Sequence, residues 1–248
     1  MIPRTSLGVM LIPTLERARR VVQFNVDALE KIAARAAKAQ RCVSFEKVAE
    51  GGLYEPHVRG IVTHQPAAPT SRAFLLRFNN GSEAIAQIPL PVIGNTHLVT
   101  ASEVATMDFA RTALDIPVPR VLAWSSKPTE VGADFIISEK APGRQLNHVW
   151  SEATHRDARS ALFSVSDHIN SLHQKFLDNP LSSYGSIFYK NDIGALPHEP
   201  TWPDCRQGEA SDKFVIGPMM DRRFWRGERA MMEVDRGPCK WLVLPLHK

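Results

Sequence analysis

The sequence lacks long apolar runs and has few cysteines. Nowhere in its 248 residues is there the stretch of ~20 apolar residues that a membrane-spanning helix needs, so no transmembrane segment is expected. The three cysteines, Cys42, Cys205 and Cys239, lie far apart and outside any C-x-x-C spacing. They argue against a disulfide scaffold and against a structural zinc site, and a reducing compartment fits them best.

The chain also has no large excess of positive or negative charge. The chain has 30 lysines and arginines against 26 acidic residues, and because these charges are interspersed, nucleic-acid binding is not indicated. The basic excess is sharpest in residues 1–24, where a single glutamate stands among four arginines: Arg4, Arg17, Arg19 and Arg20. That composition is typical of a mitochondrial presequence; the alternative is an ordinary basic segment and a cytoplasmic location.

The motifs of common enzyme classes are absent as well. The sequence contains no G-x-S-x-G, G-x-G-x-x-G or G-x-x-x-x-G-K-[ST], and its nine histidines form no H-E-x-x-H or H-x-H pair. These absences exclude the usual hydrolase, dehydrogenase and metalloenzyme patterns. Hydrophobic residues nevertheless make up 44% of the chain, which is enough for a folded core.

The first half of the sequence predicts a helix followed by strands. Asn25 is a candidate N-cap for a helix that reaches about Ala39, since apolar residues recur at helical spacing. A strand is predicted at 42–48. The segment 79–82 (NNGS) separates the apolar runs 73–78 and 83–88, and an Asn-Gly in that setting is a strong hairpin signal.

Further elements follow the hairpin. Thr100 and Glu103 have capping-box spacing and predict a helix from there to about Leu114. Strands are predicted at 120–124 and 134–139, and a long helix at 151–177 carries an apolar stripe of Leu162, Val165, Ile169, Leu172 and Phe176. Residues 181–248 keep no sustained period, so we expect a segment that needs a partner lobe to pack on.

The order of these elements resembles the N-terminal lobe and hinge of the kinase-like fold. Specific sequence segments narrow the resemblance to fungal aminoglycoside-phosphotransferase (APH)-like proteins, and among them to the altered inheritance of mitochondria protein 9 family. The matching segments are 24–29 (FNVDAL), 50–52 (EGG), 101–107 (ASEVATM), 116–124 (IPVPRVLAW), 182–186 (SSYGS) and 235–238 (DRGP).

The resemblance implies an α+β fold with a protein-kinase-like, APH-type N-terminal lobe of antiparallel sheet plus helix, then a hinge and an incomplete C-terminal lobe. The corresponding domains are a basic segment at 1–24, the N-terminal lobe at 25–141 with an insertion at 55–72, and the hinge exit, long helix and truncated C-terminal lobe at 142–248. A protein partner that covers the surface of the missing lobe is part of this expectation.

The resemblance also implies nucleotide-binding positions. Gln87 stands where a third-strand lysine would grip the phosphates of ATP, although an ordinary strand residue is the alternative. Glu103 matches the helix glutamate that pairs with that lysine, and with Met107, Ala110 and Leu114 it shares a helix face expected to point inward. A role in the capping box is compatible with this one.

Two backbone segments complete the implied nucleotide site. Gly51 and Gly52 match the glycine turn that covers the phosphates, or form a plain turn. The hinge candidate is 138–143 (SEKAPG), in which backbone groups of Glu139 and Ala141 would meet an adenine edge. A strand that ends at a Pro-Gly turn is the alternative for the hinge.

The remaining machinery of phosphoryl transfer is not recognisable. The sequence at 155–157 (HRD) matches the catalytic triplet of protein kinases. Leu162, however, stands where the magnesium-binding asparagine of those kinases belongs. Asp108-Phe109 and Asp134-Phe135 lack the glycine of a D-F-G motif, and we expect core phenylalanines beside solvated acids. The family implies ATP and Mg²⁺ as cofactors, yet the sequence predicts no catalytic residue and no metal ligand. We therefore expect an inactive, pseudokinase-like chain; the alternatives are a truncated or mis-spliced fragment, or an interaction module without nucleotide.

Overall fold

The computed structural model describes residues 21–48, 71–91, 94–127, 129–143, 155–202, 212–225 and 227–240. They form two compact units. The first comprises the chain up to Val104 together with Val121–Glu139 and Met220–Arg236, and the second comprises Ala105–Arg120, Lys140–Met219 and the chain from Gly237 onward. The three-part division expected from the sequence stays a prediction, and nearly all of its segment 1–24 lies outside the described residues.

The first unit opens with helix α1, Val26–Ala36. Asn25 is its N-cap, as predicted, because the Asn25 side chain accepts a hydrogen bond of 3.1 Å from the backbone N–H of Ala28. The helix ends three residues earlier than expected. Lys38 has a φ of 54°, a left-handed conformation that cannot continue a helix.

Five strands build the sheet of the first unit: β1 (Cys42–Lys47), β2 (Ser71–Phe78), β3 (Glu83–Pro89), β4 (Val121–Ser125) and β5 (Phe135–Glu139). Their spatial order is β1-β2-β3-β5-β4, and every neighbouring pair is antiparallel. The α+β class with an antiparallel sheet is thus confirmed. The expected insertion at 55–72 needs a correction, since Ser71 and Arg72 belong to β2 and pair with β3; residues 55–70 lie outside the described part.

The predicted hairpin joins β2 to β3 and also holds the end of α1. Gly81 takes a φ of 80° in the turn, where glycine carries no steric penalty. The Asn79 side-chain oxygen accepts hydrogen bonds from the backbone N–H groups of Gln40 and Arg41 at 3.1 and 3.3 Å. The Asn80 amide donates to the carbonyl of Ala37 at 3.1 Å.

The core of the first unit lies between α1 and one face of the sheet. Alternate residues of β2 and β3 are buried there, because side chains of a strand point to opposite faces in turn. They pack with Leu29 and Ala33 of α1 and with Ile137 of β5; the buried residues of β2 and β3 are Phe74, Leu76, Phe78, Ala84, Ala86 and Ile88.

Helix α2, Thr96–Thr112, starts four residues before the predicted capping box. Asn95 is its N-cap, since the Asn95 side chain accepts a hydrogen bond of 3.1 Å from the N–H of Leu98. Thr100 and Glu103 therefore lie inside the helix, and the capping-box prediction was wrong.

The second unit contains helix α3, His155–Leu177, and a small sheet. Residues 151–154, the predicted start of this helix, lie outside the described part. The strands β6 (Ser186–Tyr189), β7 (Glu199–Pro200) and β8 (Phe214–Gly217) are antiparallel in the order β6-β8-β7. Residues 181–248 show no sustained period in the sequence, yet the described part of this segment contains a sheet. Strands of two to four residues are too short to produce a readable period.

Residues 220–236 return to the first unit as a short helix, α4 (Arg222–Trp225), and a 3₁₀ turn, Gly227–Met231. Arg236 organises this segment. Its guanidinium lies 4.2 Å from the centre of the Trp225 ring and donates to the backbone carbonyls of Arg229 and Met232 at 2.7 and 3.1 Å. Among the described residues, no helix is long and apolar enough to cross a membrane.

Replacing Asn25 with alanine should lower the free energy of unfolding by about 1 kcal/mol, because the N–H of Ala28 then loses its acceptor. Asn25→Asp keeps an acceptor and should remain close to the parent chain. Urea unfolding followed by circular dichroism measures both. Equal losses in the two variants would contradict the capping role.

Candidate functional site

Gln87, the residue at the expected lysine position, lies on β3, the middle strand of the five-stranded sheet. It pairs with Ala73 of β2 and Ile136 of β5. Since Ala86 and Ile88 are buried toward α1, the alternation of the strand places half-buried Gln87 on the opposite face. The third-strand placement thus agrees with the resemblance, and the role of Gln87 stays a prediction.

The sheet face around Gln87 carries little free positive charge. Its cross-strand neighbour Ile136 is buried, and so is Ser138, which pairs with Ile85 on the same face. Within β2 and β3, the cation on this face is Arg77, opposite Glu83. Arg77 already donates to Glu83 at 3.0 Å and to Glu46 at 2.5 Å, so its charge is balanced by two carboxylates.

Glu103 does not have the inward position that the sequence suggested. The buried stripe of α2 is formed by Leu98, Ala101, Ala105 and Phe109, and Glu103 is exposed beside it. Surrounding protein still desolvates the Glu103 carboxyl in part and raises its pKa, even though the residue keeps much of its surface in solvent. Glu103 has no hydrogen bond or ion pair with Gln87 or with another described residue, so none of these residues stabilises its charge.

The hinge candidate begins where the sheet ends. Glu139 is the last residue of β5 and pairs with Ala84, and Lys140, Ala141, Pro142 and Gly143 after it are exposed. Gly143 has a φ of 97°, which favours glycine there. The chain passes from the first unit to the second between Glu139 and Lys140. Gly51 and Gly52 lie outside the described residues.

The structure places the kinase-like motifs in or next to α2, α3 and β5. His155, Arg156 and Asp157 are the first residues of α3, and Phe109 and Phe135 are buried, as expected. Asp108 was expected to be solvated, and this was wrong. Its carboxylate accepts a hydrogen bond of 2.6 Å from the Tyr189 hydroxyl and forms an ion pair of 2.6 Å with Lys213.

This polar cluster of Asp108, Tyr189 and Lys213 joins α2 to the small sheet within the second unit. The Lys213 ammonium lies 5.5 Å from the centre of the Tyr189 ring and 5.3 Å from that of Phe214. Burial, together with the hydrogen bond to the Asp108 carboxylate, raises the pKa of Tyr189 well above its ordinary value. Sequence reasoning missed the cluster because its members are distant in the chain and belong to no motif.

The described residues contain no group of three histidine, cysteine, aspartate or glutamate side chains that could hold a metal ion. Mg²⁺, the cation implied by the resemblance, therefore has no fitting donor set in this part of the chain. The polar cluster offers one carboxylate, which is already bound by a cation and a hydroxyl. The contacts of this cluster are those of a structural interaction between α2 and the small sheet.

Several curated fungal proteins are similar to the chain. A subtelomeric hrmA-associated cluster protein of Aspergillus fumigatus is 36% identical over 206 residues, which cover 83% of this chain and 34% of that protein. Altered inheritance of mitochondria protein 9 is 25% identical in Eremothecium gossypii, over 87% of the chain and 40% of the relative. In Candida tropicalis the protein of that name is 28% identical, over 64% of the chain and 27% of the relative.

The chain spans about a third of the length of the curated relatives it matches. These matches confirm the resemblance to proteins named altered inheritance of mitochondria protein 9. No protein-family model and no solved structure matches the chain.

Glu103→Gln should raise the melting temperature at pH 7 and leave it unchanged near pH 4. Because the folded state raises the Glu103 pKa, it binds the proton more tightly than the unfolded state does, and stability is lost as pH rises through the folded pKa. The amide removes that loss. Exposed Glu233, replaced by glutamine, is the control, and a gain of the same size at pH 4 would contradict the desolvation argument.

Tyr189→Phe should lower the free energy of unfolding by roughly 1.5–3 kcal/mol, the usual contribution of a hydrogen bond to a charged group. Urea unfolding at pH 7 measures the loss. Tyr184→Phe is the matched control, because the Tyr184 side chain is half exposed. A loss of equal size in both variants would show that the Asp108 hydrogen bond is not the cause.

Proposed function

We propose that the chain is an APH-like, kinase-like module that binds adenine nucleotides weakly through backbone groups and does not itself transfer phosphoryl groups. The observation that carries the proposal is the uncharged Gln87 on the middle strand of the sheet. The order of elements supports the kinase-like assignment: three antiparallel strands, a helix, two further strands and an exposed Pro-Gly segment. Phosphoryl transfer depends mainly on positioning and on neutralising charge.

Within the part of the chain that the structure describes, the phosphate end of the proposed site has no cation that is free of a carboxylate partner. A glutamine amide can donate a hydrogen bond to a phosphate oxygen, but it supplies no charge, and charge-assisted hydrogen bonds are roughly twice as strong as neutral ones. Arg77 on the same sheet face is held by Glu46 and Glu83. Glu103, which a lysine would neutralise in the family pattern, has no hydrogen-bond or ion-pair partner among the described residues and has a raised pKa.

Adenine recognition places fewer demands on the sequence. A hinge backbone offers N–H and C=O groups at Glu139 and Ala141 whatever their side chains are. This leads to a nucleotide preference: adenosine and ATP should bind with similar affinity, and Mg²⁺ should have no effect, because the described residues around Gln87 offer no free charged partner to the triphosphate and no donor set to the metal.

Gln87→Lys tests this directly. The parent chain should bind adenosine and ATP about equally by isothermal titration calorimetry, while Gln87→Lys should bind ATP about tenfold more tightly and adenosine unchanged, since a hydrogen bond from a charged group contributes ~1.5–3 kcal/mol. Gln40→Lys introduces the same charge at an exposed position of the first unit and is the control.

Two results would count against the proposal. Transfer of the γ-phosphoryl group of ATP by the parent chain would show that the missing cation is not required. No binding of either ligand by the parent chain and by Gln87→Lys would favour the second candidate function, an interaction module without nucleotide. The exposed apolar residues of α3, Leu162, Ile169 and Phe176, are the observation in favour of that candidate.

The proposed location is the mitochondrion. Relatives from Eremothecium and Candida carry the word mitochondrial in their names, and the basic composition of residues 1–24 agrees with an organellar presequence.

A further inference from the structure

A groove of about 630 Å³ lies beside α1 in the first unit. Its lining comes from one face of α1, at positions 27, 30, 31, 34 and 35, and from residues 39–42, which lead into β1. The structure describes all of these residues. Ala34, Ala39 and the half-buried Cys42 have small side chains, and these leave a concave space between charged neighbours.

Five charged side chains share this lining: Asp27, Glu30, Lys31, Arg35 and Arg41. Within the described ranges, no hydrogen bond or ion pair engages any of these side chains. Arg77 of the same unit differs, because two carboxylates hold its guanidinium. The charges of the groove are therefore available to a ligand.

Positive and negative charges are separated along the groove. Asp27 lies in the first turn of α1 and Arg35 in its last turn, a separation of about 12 Å along the helix axis at a rise of about 1.5 Å per residue. Glu30 is one turn after Asp27, and Arg41 follows the end of the helix. The groove thus has a carboxylate end and a guanidinium end.

Cys42 provides a reporter group within the lining. Its thiol donates to the carbonyls of Ser44 and Arg77 at 3.2 and 3.5 Å, so its position is fixed. Burial raises the pKa of the Cys42 thiol, and the nearby Glu30 carboxylate raises it further. A ligand in the groove would therefore lie beside a cysteine whose chemical reactivity can be measured.

Each end of the groove suits a different chemical group. A guanidinium presents paired N–H groups that match the oxygens of a phosphate, and carboxylates accept hydrogen bonds from an ammonium group. An anion without a positive group would be repelled by Asp27 and Glu30. A ligand that carries a phosphate and an ammonium satisfies both ends.

We propose that this groove binds a small phosphate monoester that carries an ammonium group. Arg35 and Arg41 hold the phosphate, and Asp27 and Glu30 hold the ammonium. The inference does not depend on nucleotide binding, because Gln87 lies on the sheet face opposite α1.

Isothermal titration calorimetry with O-phosphoethanolamine and with inorganic phosphate tests the proposal. The parent chain should bind O-phosphoethanolamine more tightly. Arg35→Gln and Arg41→Gln should each weaken the binding of both probes about threefold, the effect of one exposed ion pair. Lys38→Gln is the matched control, since it removes the same charge from an exposed residue outside the lining.

Glu30→Gln should act on the two probes in opposite directions. It should weaken the binding of O-phosphoethanolamine, because the ammonium loses its carboxylate, and strengthen the binding of inorganic phosphate, because a repelling charge is removed. A general change in net charge or in stability cannot produce both shifts.

Alkylation of individual cysteines by iodoacetamide, followed by mass spectrometry, localises the ligand. O-phosphoethanolamine should slow the alkylation of Cys42 and leave that of Cys239, in the second unit, unchanged. Adenosine has no phosphate and should not protect Cys42. The result is therefore separate from the proposed nucleotide binding.

Three outcomes would overturn the proposal. The first is an equal loss of affinity in Lys38→Gln and in the two arginine variants, which would show unspecific attraction by charge. The second is a shift of both probes in the same direction in Glu30→Gln. The third is binding of O-phosphoethanolamine without protection of Cys42, which would place the ligand elsewhere.

Discussion

The register between β2 and β3 determines the chemistry of the candidate site. It is set by the turn at residues 79–82, which pairs Arg77 with Glu83 and Ala73 with Gln87. A slip by one residue would exchange the two faces of the strand. Gln87 would then enter the core with α1, and the alanines that pack on α1 would face the other way. The burial of Phe74, Ala84 and Ala86 makes that alternative costly, so the core fixes the position of the polar residue.

Elements with local signals were predictable. The N-cap at Asn25 and the Asn-Gly turn act through residues adjacent in sequence, and both are found in the structure. Helix α2 was predicted with the wrong start, because two competing caps, Asn95 and Thr100, lie five positions apart and only packing decides between them. The small sheet of the second unit was not predictable, since its strands gain their stability from Phe109 and Trp202 rather than from a period of their own.

The features of the candidate site were likewise predictable from the sequence only in part. The strand and helix that carry Gln87 and Glu103 followed from the sequence, but the exposure of Glu103 did not, because the buried stripe of the helix runs through Leu98, Ala101, Ala105 and Phe109 instead of the face that Glu103 shares with Leu114. The ion pair between Asp108 and Lys213 joins positions that share no motif. This ion pair is visible only in the folded structure. In the first unit, too, the engagement of Arg77 by two glutamates removes a cation that composition alone would count as available.

The turn between β2 and β3 has a second consequence, for protein engineering. The side chains of its two asparagines form hydrogen bonds with the backbone of Ala37, Gln40 and Arg41. The loop therefore connects the helix to the sheet as well as reversing the chain. A replacement loop chosen for hairpin propensity alone, such as Gly-Gly, would preserve the strands and release the helix terminus. Loop grafting at this site must therefore keep side chains that a hairpin by itself does not need.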